Sequence, residues 1–246
     1  MIFKKIKFIA LLCFILLARN ANAQFNDSTF YHINFAPTGS INKANGSTAY
    51  LLNNNLKFNI RKKDVSLNFT NTWIYGRQNA GLTNNDYSSF VDFNLYKGPE
   101  HFYYWGLLNY NTSYSLKINN QLLAGAGLAY SLIDKPNAYL NLSDGILYDA
   151  SDLLISGDRS VYHTYRNSFR LAMKFNINNM VTLESNTFLQ NSLDRKYDYI
   201  IRSTNSVSLK LRSWLSISSS LNYNRQNRTS SENLLFTYGI NFERYF

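Results

Sequence analysis

Apolar residues along this chain recur at every second position. In the last segment Leu234, Phe236, Tyr238, Ile240 and Phe242 share a parity with Phe246, while Leu235, Thr237, Gly239, Asn241, Glu243 and Tyr245 take the other. Such alternation is the signature of a β-strand with one apolar and one polar face. It recurs about a dozen times, from Tyr31, Ile33 and Phe35 through Val65, Leu67, Phe69 and Trp73 to Leu215, Ile217 and Leu221. Short links are expected at 61–64, 97–100, 134–137, 176–179 and 212–213, with Pro99 and Pro136 inside them. Longer polar links are expected near 42–47, 77–86, 115–120, 149–162, 191–197 and 225–233.

Short turns at one end and longer loops at the other describe an outer-membrane barrel with both termini in the periplasm. The alternation fits twelve antiparallel strands, with ten or fourteen as the other even solutions. A secreted β-sandwich would alternate too, with its apolar set inward. Aromatics near strand ends favour lipid: Tyr103, Tyr104 and Trp105, then Trp73 and Tyr75, then Trp214, Tyr245 and Phe246. They form the interface girdles expected of a membrane barrel.

The front of the chain supports export. Lys4, Lys5 and Lys7 precede an apolar run from Phe8 to Leu17, and Ala21-Asn22-Ala23 is a small-residue cleavage site. Residues 1–23 therefore read as a signal peptide, with cleavage between Ala23 and Gln24 and a single barrel over 24–246. The address is the outer membrane of a Gram-negative bacterium. Cys13 is the only cysteine and leaves with the signal, so disulfide and thiolate chemistry are excluded from the mature chain.

Removing that segment lowers the formal charge from +10 to +6. The excess suits an anionic partner such as lipid phosphate or an anionic solute. Its dispersal, with no basic run longer than Arg61-Lys62-Lys63, excludes nucleic acid and equally fits charges scattered over loops and lumen.

The second parity faces the lumen and is rich in Asn, Ser and Thr. Its charged members are Lys57, Asp92, Arg166, Arg170, Lys174, Glu184, Arg202 and Glu243. Arg166, Arg170 and Lys174 form a basic stripe on one strand. Arg170 and Arg202 are the candidates for an anion-selecting constriction; the same groups would otherwise form ion pairs that fill the lumen. A barrel of this size lies between the filled and the open types.

Enzymatic readings lack their residues. The histidines are His32, His101 and His163, and no His-x-Ser occurs. Asp149, Asp152 and Asp158 share the longest expected loop, where carboxylates would bind calcium, serve an acidic dyad or simply face solvent. No cofactor or metal set emerges. Gly125-Ala126-Gly127 resembles part of a phosphate loop, but no helix follows, and it is expected to keep one side of its strand small beside a bulky neighbour.

The run from Gln121 through Gly125-Ala126-Gly127 to Tyr130, then a short turn, Leu140, Leu142 and Asp144-Gly145-Ile146-Leu147-Tyr148, resembles the central hairpin of the salt-induced outer-membrane proteins, a family defined by domain of unknown function 481. The resemblance implies an outer-membrane barrel of about this length and supplies no activity, substrate or site residue.

The leading expectation is thus a non-enzymatic envelope barrel, either a narrow solute channel or a structural stress-response barrel. The alternative is a surface-binding module that contacts lipopolysaccharide or a partner through 149–162 and 225–233; an outer-membrane hydrolase is the third. The terminal strand, with Tyr238, Gly239, Ile240, Phe242 and Phe246, is expected to be the signal read by the barrel-assembly machinery.

Overall fold

The computed structural model describes residues 30–44 and 47–246. The expected signal segment and its Ala23–Gln24 cleavage point lie outside the described residues. The described residues form one closed antiparallel barrel of twelve strands, each paired with its neighbours in chain order. The strands are β1 (Tyr31–Ala44), β2 (Ser47–Lys62), β3 (Val65–Gln78), β4 (Gly81–Leu95), β5 (Phe102–Ser113) and β6 (Ile118–Lys135), followed by β7 (Ala138–Ile155), β8 (Asp158–Ile177), β9 (Val181–Ser192), β10 (Tyr199–Arg212), β11 (Leu215–Gln226) and β12 (Ser231–Tyr245).

The apolar parity faces outward. Phe35, Leu56, Phe93, Leu108, Leu128, Ile146, Phe169, Val207, Ile217 and Phe236 are all exposed on the outer wall. Closure pairs the strand backbones within the wall, as hydrocarbon requires, except along the upper part of the β1–β12 joint, where the ladder stops at Phe35–Phe242. Together with the apolar exterior, it gives the architecture of a membrane-spanning barrel. Both ends of the described chain, Phe30 and Phe246, lie at one end, which is periplasmic in such barrels. There Tyr31 and Phe246 exchange backbone hydrogen bonds of 2.8 and 3.0 Å, and their rings stack at 5.9 Å. The last residue thus belongs to the joint that closes the cylinder.

The expected long loops are mostly strand. β3 and β4 meet across Asn79-Ala80, and β7 and β8 across Ser156-Gly157, so 77–86 and 149–162 contain hairpin tips rather than extended loops. Segment 225–233 is the end of β11, a 3-10 turn at Asn227–Thr229 and the start of β12. Ser156 (φ 54°) and Gly157 (φ 94°) adopt the left-handed conformations that tight hairpins need. The longest links are 96–101, at the end carrying the termini, and 193–198, at the opposite end. The physical reason is that outward positions beyond the hydrocarbon need not be apolar. Polar composition there resembles a loop although the ladder continues. At the β7–β8 tip, Arg159 donates to Asp152 at 2.9 Å, and this hydrogen bond holds the carboxyl below its ordinary range.

Candidate functional site

Packing inside the barrel is asymmetric, and β5 begins the asymmetry. Tyr104 points to lipid, but Tyr103 and Trp105 point inward and are buried, not girdle residues as expected. Strand parity decides this, since neighbours in a strand cannot share a face. The Trp105 indole lies over glycines of two adjacent strands. Its Cζ2 is 2.7 Å from where a Cβ on Gly127 would stand and 2.5 Å from that of Gly145. Its Nε1 donates to the Leu128 carbonyl at 3.1 Å. Trp105 is therefore the bulky neighbour that the small residues accommodate.

Trp105 packs in a buried cluster with Tyr103, Leu107, Leu123, Leu147 and Phe188, flanked by Phe90. Phe90 on β4 and Phe188 on β9 meet edge to face at 6.1 Å. This apolar contact spans the lumen from one wall to the other.

Charged side chains reinforce the same chord. Arg170 Nη1 donates to Asp92 on β4 at 2.5 Å, its Nε donates to Asn186 at 2.8 Å, and its guanidinium lies 5.0 Å from the Phe188 ring centre. Arg202 crosses from β10 to donate to the side-chain oxygens of Asn109 on β5 and Gln121 on β6, the latter at 2.8 Å. The two arginines differ in charge balance. Arg170 has a carboxylate partner, whereas the acceptors for Arg202 are neutral amides.

Arg166 lies towards the far end and is fully buried. It donates to Asp149 at 2.6 Å, to Asp198 at 2.9 Å and to the Tyr162 hydroxyl at 2.9 Å. Arg228 also reaches Asp198, at 3.2 Å, and covers the Tyr162 ring at 3.7 Å. Thr229 donates to the Leu116 carbonyl and Asn233 to Ser115, both at 3.0 Å, tying the β11–β12 connection to the β5–β6 connection across the mouth.

The opposite half, bounded by β10–β12 and β1–β3, is lined by smaller polar groups that keep partial access. Asn55, Lys57, Thr70, Ser206, Ser220 and Asn222 are half-buried and Thr204 is exposed, although all face inward. Towards the end with the termini, His32 lies 3.4 Å from Glu243 and stacks on Tyr245 at 4.1 Å. Lys57 and Glu184 also face inward and are half-buried. The lumen is therefore divided into a packed half and an accessible polar half.

The structure gathers Asp92, Arg170 and Arg202 about the dividing chord. It takes Arg166 out of any lining role and makes it a buried strut. Lys57, Glu184 and Glu243 face the accessible half or its lower end. Composition and spacing do not disclose these roles for Asp149, Asp198, Tyr162 and Phe188; inward parity is the signal that the sequence carries for Tyr162 and Phe188, but their cross-strand partners are set by register. Asp149 is engaged by Arg166, and Asp152 by Arg159 and Asn119, not by solvent. Among the described residues no group of His, Cys, Asp and Glu is arranged to hold a metal ion. His163 faces outward against Tyr148, 3.0 Å from its hydroxyl.

An amphiphilic wall closed around a divided polar lumen defines an integral outer-membrane β-barrel. The chain belongs to the family described as protein of unknown function DUF481, whose model matches residues 39–242. Among solved structures it is similar to the translocator domain of autotransporter NalP from Neisseria meningitidis, at TM-score 0.52 and 10% identity, over 88% of this chain and 89% of that one. It is likewise similar to the NanC porin, at TM-score 0.52 and 13% identity, over 87% of this chain and 99% of that one. At such identity the likeness concerns the fold. No curated protein matches the chain.

Proposed function

We propose that this barrel is a non-enzymatic, narrow channel whose path runs off-centre, along the polar half bounded by β10–β12 and β1–β3. The observation that carries the reading is Arg202: a lumen guanidinium held by amide oxygens and not by a carboxylate. A charge fixed in this way at the border of an accessible path favours anions over cations. Arg170 adds less, because Asp92 offsets it. Asn, Ser and Thr along the path offer hydrogen bonds, and the other charges that face it or its lower end, Lys57, Glu184 and Glu243, are of both signs. The porin-like fold supports this reading, and β12 remains the proposed segment for recognition by the assembly machinery.

The test is the reversal potential of the folded protein in a planar bilayer under a potassium chloride gradient. The wild type is expected to prefer chloride, and Arg202→Gln to move the reversal potential towards the nonselective value. Arg170→Gln, which leaves Asp92 unpaired, is expected to shift it in the same direction. A silent bilayer with folding confirmed by heat-modifiable gel mobility would refute the channel. Unchanged selectivity in Arg202→Gln would refute its role.

A further inference from the structure

The barrel is closed unevenly at the joint between its first and last strands. From the Tyr31–Phe246 pair the β1–β12 ladder runs through His32–Tyr245, Ile33–Arg244 and Asn34–Glu243 to Phe35–Phe242, where it ends. β1 continues to Ala44 paired with β2, and β12 extends back to Ser231 paired with β11. Pro37 stands just beyond the last pair. Its missing N–H removes a ladder donor where the seam opens. Thr38 still touches the other strand, its Cγ2 being 2.5 Å from where a Cβ on Gly239 would stand. Beyond that contact the flanks are bare. Leu234, Phe236 and Tyr238 are 66%, 63% and 71% exposed, against 48% for Ile217 and 40% for Leu221 on the adjoining strand.

The chemistry of the seam is mixed. Outside are the apolar faces of Ile41, Phe236 and Tyr238. Behind it, Leu51, Ile74 and Leu235 take inward positions in an otherwise polar half of the lumen. Between these layers a crevice is lined by Thr38, Ser40, Leu51, Asn53, Phe236 and Tyr238. Asn53 is nine-tenths buried there, and its Oδ1 has no hydrogen-bond partner. Unpaired strand edges in hydrocarbon require hydrogen-bonding groups, while the flanking side chains require apolar ones.

We propose that the β1–β12 seam is a lateral site for an amphiphile with a hydrocarbon chain and a hydrogen-bonding head. The head meets the strand edges and Asn53; the chain lies between Phe236 and Tyr238 outside and Leu51 and Leu235 inside. The site joins the accessible half of the lumen to the bilayer. It goes beyond the channel reading and stands whether or not the protein conducts ions.

The probe is phosphatidylcholine carrying a nitroxide on its acyl chain, in bilayers holding the full barrel with Cys13, the only native cysteine, replaced by serine. A fluorophore on Leu235→Cys is compared with one on Thr204→Cys, an inward position away from the seam. Quenching at 235 is expected to exceed that at 204 severalfold, and to fall when Pro37→Val restores the ladder donor. Leu51→Cys provides a second inward site behind the seam and should behave like 235. Equal quenching at 204 and at both seam positions would overturn the proposal. So would ready oxidation of Tyr238→Cys to a covalent dimer in the membrane, which would seat a second copy at the seam.

Discussion

Replacing Arg166 by methionine is expected to destabilise the folded barrel by about 3–5 kcal/mol, the cost of breaking a buried charge pair from one side. The cause is not the loss of an attraction alone. Arg166 is fully buried and divides its guanidinium among Asp149, Asp198 and Tyr162. Methionine approximates its length but leaves two buried carboxylates to be desolvated without it. Arg228 still reaches Asp198, so Asp149 bears most of the loss. Arg166→Lys keeps the charge without the planar fork that serves several acceptors, and should fall between the two. Equilibrium unfolding by urea or guanidinium in detergent or lipid, at matched composition, measures the difference. An unchanged midpoint for Arg166→Met would show that the network contributes little to stability.

Trp105→Ala is expected to cost a similar amount, about 3–5 kcal/mol, the range for removing a large aromatic from a packed interior. The indole is 5% exposed and packs with Leu107, Leu123 and Leu147. Its neighbours are poorly able to collapse into the cavity, because the surface under the ring is the backbone of Gly127 and Gly145 on two paired strands. The same contacts make those glycines hard to replace. A Cβ on Gly127 would stand 2.2 Å from the Asp144 carbonyl oxygen, and one on Gly145 would stand 2.4 Å from that of Ala126. The check is denaturant unfolding of Trp105→Ala beside Tyr104→Ala, whose side chain faces lipid. A loss no larger than that of Tyr104→Ala would mean that the indole does not anchor the packed half.

These two positions also show what alternation reveals and what it leaves hidden. The period of two marks the strands and the outward set. The pattern of links and the aromatics at strand ends favour the barrel, and closure settles twelve strands among the even solutions of ten, twelve and fourteen. The same period puts Asp92, Arg170 and Arg202 on the inner face without ambiguity. It does not tell which inward residues meet, because contacts such as Arg202 with Gln121 depend on register, strand tilt and the width of the cylinder. Trp105 illustrates a second limit. An aromatic near a strand end suits a girdle by composition, and only its parity relative to Tyr104 sends it inward. The hairpin tips illustrate a third. Asp149, Asp152 and Asp158 resemble a loop because that stretch is polar, yet Asp149 faces inward and its carboxylate is held by Arg166. The open seam follows from a short ladder that no local pattern announces, although Pro37 in an otherwise regular strand marks its place.

A cysteine substitution in each half of the lumen tests its division most directly. Thr204→Cys lies in the accessible half and Ser168→Cys in the packed half, where it is 1% exposed. Each is incorporated into a planar bilayer and treated with a membrane-impermeant, negatively charged thiol reagent while current is recorded. The expected result is a conducting barrel whose current is reduced by modification at 204 and unaffected at 168. Block at 168 with none at 204, or a folded barrel that carries no current, would contradict it.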